Sequence, residues 1–138
     1  MIAHAMADMT NTICGHDRAA LRKALEFANA LDLDGISRGW PQPDSTHGAL
    51  LFDIHDPAKL AAIIAELLRE RGLSVKTDPQ YDCQWLVFAD EYDAVSIVAP
   101  RFAKAITMPQ ARTFALALLD APNATAQDVE RMIGEVTK

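Results

Sequence analysis

A strand-helix-strand pattern near the middle of the chain constrains the fold more than any other feature. Apolar residues at 49–54 predict a buried strand, and Asp56 followed by Pro57 predicts the N-cap and first turn of a helix. Apolar side chains then recur at the spacing of one helix face: Leu60, Ile63, Ile64, Leu67 and Leu68. Gly72 predicts the end of this helix, and the alternation at 73–77 predicts a second strand. The pattern therefore indicates a β-α-β unit.

The residues that follow predict a hairpin and then two helices. Segments 84–89 and 94–99 are rich in β-formers and are joined by a short connection, so they are expected to pair antiparallel. Residues 101–106 are predicted to form a short helical turn. Capping signals at Thr107 and Thr125 predict two amphipathic helices, and the short break between them favours an αα-hairpin.

The N-terminal part of the chain gives weaker signals. A helix is predicted from about residue 16 to residue 31, with a turn at Gly35 as its end. Residues 37–48 contain two glycines and two prolines, so a long irregular loop is expected there. Residues 1–12 are expected to be loosely ordered.

These elements follow the order α-β-α-β-β-β-α-α, which predicts an α+β fold. The sheet is expected to have about four strands, mostly antiparallel, and to include the β-α-β unit and the hairpin, with the helices on one face. The length of 138 residues suits one domain spanning residues 1–138.

Composition excludes several classes of protein. Half of the residues are hydrophobic, which is too many for a disordered chain, and a net charge of −6 disfavours direct binding to nucleic acid. No apolar run reaches the roughly 18 residues that a membrane span needs, and the N-terminus does not resemble a signal peptide. Two cysteines do not make a disulfide framework. We expect a cytoplasmic protein without a cofactor.

The negative charge is concentrated in one part of the sequence. Between residues 77 and 100 there are five acids and no Lys or Arg, whereas the remaining residues carry 14 acids and 13 bases. Charged strand ends commonly keep a sheet edge soluble. Alternatively, the acids form a patch that steers the protein toward a basic protein surface.

Trp40 is the second candidate for a contact residue, because Trp is enriched at binding hot spots. It lies between Gly39 and Pro41 in the irregular loop, where it either covers the core or contacts a partner. The predicted partner-binding residues are Trp40, Asp78, Asp82, Asp90, Glu91, Tyr92 and Asp93.

A metal or catalytic site is the third possibility. Its candidate residues have side chains that bind transition metals: Cys14, His16, His47, Asp53 and His55. They lack the paired short spacings of structural zinc sites, and the chain has no nucleophile elbow and no phosphate-binding glycine loop. The sequence therefore does not predict a metal site or a catalytic residue.

These patterns lead to one main functional expectation and two alternatives. The main expectation is a regulatory module rather than an enzyme, and it binds a protein partner through the acidic segment, the Trp40 loop or both. One form of it is an inhibitor of a nucleic-acid-handling protein. The first alternative is a metal-dependent or small-molecule-binding enzyme that uses His16, His47, His55 and Asp53. The second is a subunit that self-assembles into a homo-oligomer through the C-terminal helices.

Overall fold

The computed structural model describes residues 18–37, 53–77, 84–90 and 94–137. Within these ranges two helices come first, four strands follow, and two further helices come after the strands. The elements are α1 (Arg18–Ser37), α2 (Pro57–Arg69), β1 (Val75–Lys76), β2 (Trp85–Ala89), β3 (Val95–Ala99), β4 (Phe102–Ile106), α3 (Met108–Asp120) and α4 (Ala126–Val136).

The four strands form one mixed sheet in the order β1-β2-β3-β4. Strand β1 runs parallel to β2, and the two remaining pairs are antiparallel. The hairpin predicted from segments 84–89 and 94–99 is present as β2 and β3. The α+β class, the mostly antiparallel four-stranded sheet and the two consecutive C-terminal helices are thus confirmed.

Helix α2 forms for the reasons that its sequence suggests. The Asp56 carboxylate accepts hydrogen bonds from the backbone N–H groups of Ala58 and Lys59, and Pro57 occupies the first turn. The apolar face lies in the core, with five large side chains fully buried: Leu60, Ile63, Ile64, Leu67 and Leu68. Gly72 follows the helix with a φ of 81°, a conformation that favours glycine.

The core lies between one face of the sheet and the helices. Helix α2 packs on β1, β2 and β3, α3 packs on α2, and both α1 and α4 pack on α3. Alternate strand residues point inward, so Val87 and Ile97 are fully buried while Val98 is exposed. The rings of Trp85 and Phe102 meet edge to face with centroids 5.9 Å apart.

Both predicted capping boxes are present. The Thr107 hydroxyl accepts from the N–H of Gln110, whose side chain accepts from the Thr107 N–H. Thr125 and Asp128 make the same reciprocal pair at the start of α4. Two N–H groups of each helix are satisfied in this way, so each helix begins at the residue that the sequence indicates.

The strand predicted at 49–54 is wrong at its C-terminal end. Residues 53–55 form a helical turn there, and residues 49–52 lie outside the described ranges. Ile54 is fully buried in this conformation, because a helical turn can bury a short apolar run as well as a strand can. The parallel pair of the described sheet joins β1 to β2.

Two other local predictions are also wrong. Residues 102–106 form strand β4 instead of a helical turn, because a tight connection after β3 returns them along that strand. Helix α1 continues through Gly35 to Ser37, since an internal glycine costs a helix only about 1 kcal/mol relative to alanine. Residue 37, expected in the irregular loop, is thus helical, and residues 1–12 and 38–48 lie outside the described ranges.

None of the helices among the described residues combines the length and the apolar character that crossing a membrane requires.

Candidate functional site

The acidic segment includes the β2–β3 hairpin, whose end the structure describes at Asp90 and Ala94. The Asp90 N–H donates to the Ala94 carbonyl oxygen at 2.9 Å. In return, the Ala94 N–H donates to Asp90 Oδ1 at 3.2 Å, and the Ser96 hydroxyl donates to Oδ2 at 3.4 Å. The Asp90 carboxylate therefore holds the strands together across the turn, a role that is separate from its predicted contact with a partner.

Strands β1 and β2 run in the same direction, and each is followed by an acidic connection. Strand β2 finishes at Ala89 and is followed by Asp90. The chain leaves β1 at Thr77, which the register puts level with Val87, three residues before Asp90. Six of the predicted partner-binding residues lie outside the described ranges: Trp40, Asp78, Asp82, Glu91, Tyr92 and Asp93. Their contact with a partner stays a prediction.

Of the metal candidates, the structure describes Asp53 and His55, which lie in the helical turn before α2. The Asp53 carbonyl accepts from the Asp56 N–H at 3.3 Å, which closes this turn. Among the described residues no three His, Cys, Asp or Glu side chains gather as a metal site requires. Cys14, His16 and His47 lie outside those residues.

His55 instead belongs to a polar cluster where three segments meet. The Nη1 atom of Arg112, on α3, lies 3.4 Å from Nδ1 of His55. The Nε–H of Arg112 donates to Oδ1 of Asn29, on α1, at 3.1 Å. Asn29 then donates to the Thr113 hydroxyl at 3.1 Å, and that hydroxyl donates to the Pro109 carbonyl at 3.0 Å. We call Asn29, His55, Arg112 and Thr113 the Arg112 cluster.

Arg112 is the charged residue of this cluster, and only 3% of it is exposed. Burying a guanidinium is unfavourable unless polar atoms surround it, and Asn29 and His55 supply two such atoms. In the sequence, Arg101, Lys104 and Arg112 follow one another without an intervening acid. The burial of Arg112 separates it from the other two, which are exposed.

The environment of His55 keeps its imidazole neutral. Burial, and to a smaller extent the neighbouring Arg112 guanidinium, lower the pKa of His55 from 6.5 to about 4. A guanidinium can only donate hydrogen bonds, so Nδ1 of His55 is the acceptor and the ring proton lies on Nε2. A cation next to Nδ1 repels a second cation, and this geometry therefore disfavours a metal ion at that atom.

Sequence reasoning selected His55 but missed Asn29 and Arg112. Asn29 is a polar residue within a helix pattern, and Arg112 follows the capping box of α3 by two positions. A charged residue at such a position usually faces solvent. One signal was available, since Arg112 lies three positions before the buried Ala115 and so borders the buried side of α3.

The C-terminal helices leave little of their apolar stripe exposed. In α4, Val129 and Ile133 are buried, and Met132 and Val136 pack against the core as half-buried residues. In α3, Phe114 and Leu118 are fully buried. The stripe that would serve self-assembly is thus used largely within the chain itself.

Comparison of this chain with protein-family models, curated proteins and solved structures returned no match. Any functional conclusion therefore depends on the residues and their geometry.

Proposed function

We propose that this protein is a cytoplasmic, non-enzymatic interaction module that binds a basic surface of another protein through its acidic segment, residues 77–100. The observation that carries the proposal is the segregation of charge. Five of the six net negative charges of the chain fall within these 24 residues, which contain no Lys or Arg. A surface of one sign attracts an opposite surface over distances of about 10 Å at moderate salt and accelerates association.

The parallel direction of β1 and β2 supports a common direction for two of the acidic connections as the chain leaves these strands. Asp90 follows the last residue of β2, and Thr77 is level with Val87, three residues earlier along that strand. A hairpin end projects beyond the sheet, and a basic groove can receive it. One form of the proposal is an inhibitor that occupies the nucleic-acid groove of its target with carboxylates in place of phosphates.

Trp40 is proposed as a second contact. It belongs to the sequence between α1 and α2, which carries two prolines and two glycines. Aromatic residues supply a large share of binding energy where an interface excludes water. In this proposal the acidic segment accelerates association, and Trp40 slows dissociation.

The test is affinity capture from the source cell with three versions of the full chain. The first is the wild type, and the second carries Asp78→Asn, Glu91→Gln and Asp93→Asn. Asp90 stays unchanged because its carboxylate closes the hairpin. The third is a control in which three acids of the helices lose the same charge: Glu26→Gln, Glu130→Gln and Glu135→Gln.

We expect the wild type and the control to capture the same partner and the second version to lose it. With the purified partner, the second version should associate at least about tenfold more slowly at low salt, and that difference should shrink as salt is added. Equal association rates for all three versions would overturn the proposal. Purified protein with a stoichiometric zinc or manganese ion by elemental analysis would favour the enzyme alternative instead.

A further inference from the structure

Strand β4 has an unpaired side in the described sheet. It pairs with β3 on one side, and the strand order places nothing beyond it within the part of the chain that the structure describes. The two strands are joined by Pro100 and Arg101 alone, so Ala99 and Phe102 face each other across the turn. An unpaired strand edge carries backbone donors and acceptors that a further strand can use.

The register identifies the free backbone groups. In a hairpin with a two-residue connection, the residues next to the connection exchange hydrogen bonds, and such pairs alternate with pairs that do not. Phe102, Lys104 and Ile106 therefore bond to β3. The N–H and C=O groups of Ala103 and Ala105 point to the open edge, and both residues are exposed.

Two cations flank this edge without a counterion among the described residues. Arg101 and Lys104 are exposed and form no ion pair there, and the sequence contains no acid from residue 94 to residue 119. Every other arginine that the structure describes is hydrogen-bonded to a carboxylate, carbonyl, amide or imidazole: Arg18, Arg22, Arg69, Arg71, Arg112 and Arg131.

The two faces of the edge differ. Lys104 pairs with Ile97 and so shares the face of the sheet that carries the core. Ala103 pairs with Val98 on the opposite face, where Val98 is 36% exposed and Ala105 adds a second small apolar side chain. On one face an added strand would thus meet Lys104 between Phe102 and Ile106, of which only Lys104 is exposed, and on the other face it would meet methyl groups.

We propose that the β4 edge binds an extended acidic segment of a partner protein as a fifth strand. Carboxylates of the segment lie on the Lys104 face, with one opposite Lys104 and another near Arg101, and its apolar residues cover Ala103, Ala105 and Val98. Backbone hydrogen bonds provide affinity and the alternating side chains provide specificity. This surface and its residues are separate from the acidic segment of the proposed function.

Charge also decides between an acidic segment and a second copy of this chain. Antiparallel pairing of two β4 edges would bring a second Arg101 and a second Lys104 to the same edge. Like charges on adjacent strands destabilise the pair, whereas carboxylates opposite the same residues stabilise it. The acidic segment is therefore the favoured occupant, and the second copy is a separate outcome of the experiment.

The probe is a short synthetic peptide in which valine and threonine alternate with glutamate. Its control has lysine at every glutamate position. Backbone amide exchange of the full chain is measured by NMR with each peptide up to millimolar concentration. We expect the glutamate peptide to slow exchange at Ala103 and Ala105 at least tenfold, while Phe102 and Lys104 change little because β3 already protects them.

Two variants test the two parts of the site. Lys104→Glu combined with Arg101→Glu should lose at least tenfold in affinity for the glutamate peptide and should bind the lysine peptide instead. Ala105→Pro removes a donor from the open edge without removing one that bonds to β3, and it should abolish protection at Ala103.

Three results would overturn the proposal. The first is equal binding of the two peptides, and the second is the absence of protection at Ala103 and Ala105 at millimolar glutamate peptide. The third is protection of these amides without any peptide in a chain that light scattering shows to be dimeric, which would assign the edge to a second copy. If Ala105→Pro does not fold, the peptide affinities of the variant with Arg101→Glu and Lys104→Glu still test the proposal.

Discussion

The Nη1 atom of Arg112 lies 3.4 Å from Nδ1 of His55, so a permanent cation stands beside an imidazole at the contact between α3 and the turn before α2. Arg112 also donates a hydrogen bond to Asn29 of α1. A change in the charge of His55 therefore affects a contact that joins three helical segments.

This pair predicts an acid-sensitive stability. The pKa of His55 is near 6.5 in the unfolded chain and about 4 in the folded protein. At a pH between these two pKa values, His55 is protonated in the unfolded chain but neutral in the folded protein. The titration of His55 therefore leaves stability unaffected above pH 6.5 and lowers it as the pH drops toward 4. With the partial solvent exposure of the ring taken into account, the loss is roughly 1–2 kcal/mol.

His55→Gln removes this titration. The free energy of unfolding of the wild type minus that of the variant, measured by urea denaturation, should decrease as the pH falls from 6.5 to 4. The contribution of the carboxylates that titrate in the same pH range is common to both proteins, so it cancels in the difference between their free energies of unfolding. A difference that stays constant with pH would contradict the neutral imidazole beside Arg112.

Arg112 should be far more sensitive to truncation than an exposed arginine. Arg112→Ala removes the buried guanidinium, so Asn29 and His55 lose their hydrogen-bond partner. The variant should lose about 3 kcal/mol of unfolding free energy. Arg101→Ala is the matched control at an exposed position, and its effect should stay within about 0.5 kcal/mol. Similar losses for both variants would show that Arg112 is not buried in solution.

A second measurement separates charge from packing at this position. Arg112→Met keeps a long apolar stem but removes the positive charge next to His55. The pKa of His55, followed by NMR of its ring protons, should rise toward its ordinary value in this variant. The rise should be partial, since burial is the larger cause of the shift.

The sequence could predict α2 because its cap, its apolar stripe and its terminal glycine all lie within one segment. Local signals likewise located the hairpin to within one residue at each strand. Strand β4 has no such signal, because Ala103, Lys104 and Ala105 have low β-propensity. It forms by pairing with β3 across the two-residue turn at Pro100 and Arg101, and this pairing outweighs the low propensity of the residues.

Local sequence signals could not predict the Arg112 cluster either. It joins residues separated by 57 positions between His55 and Arg112 and by 83 between Asn29 and Arg112. Periodicity describes one helix at a time, so it cannot show that three segments meet at a single guanidinium. The acidic segment was visible because the clustering of charge along the chain can be read from the order of the residues without any tertiary contact.

The register of β3 is open to a direct test with two neighbouring residues. Ile97 is fully buried on the core face, and Val98 points to the opposite face with 36% of its surface exposed. Ile97→Ala should cost about 2–4 kcal/mol, and Val98→Ala less than about 1 kcal/mol. Thermal or urea unfolding would measure both, and a register shifted by one residue would reverse the order.

Two glycines should respond to alanine in opposite directions. Gly72 has a φ of 81°, which an L-residue adopts at a cost of about 1 kcal/mol, so Gly72→Ala should destabilise the protein although nothing lies within 4 Å of an added Cβ. Gly134 lies inside α4, and an added Cβ there also meets nothing within 4 Å. Gly134→Ala should therefore stabilise the protein by up to about 1 kcal/mol, because alanine favours the helix. Urea unfolding of the two variants beside the wild type measures both effects. A loss of stability in Gly134→Ala would show that the outer side of α4 is in contact with another segment in solution.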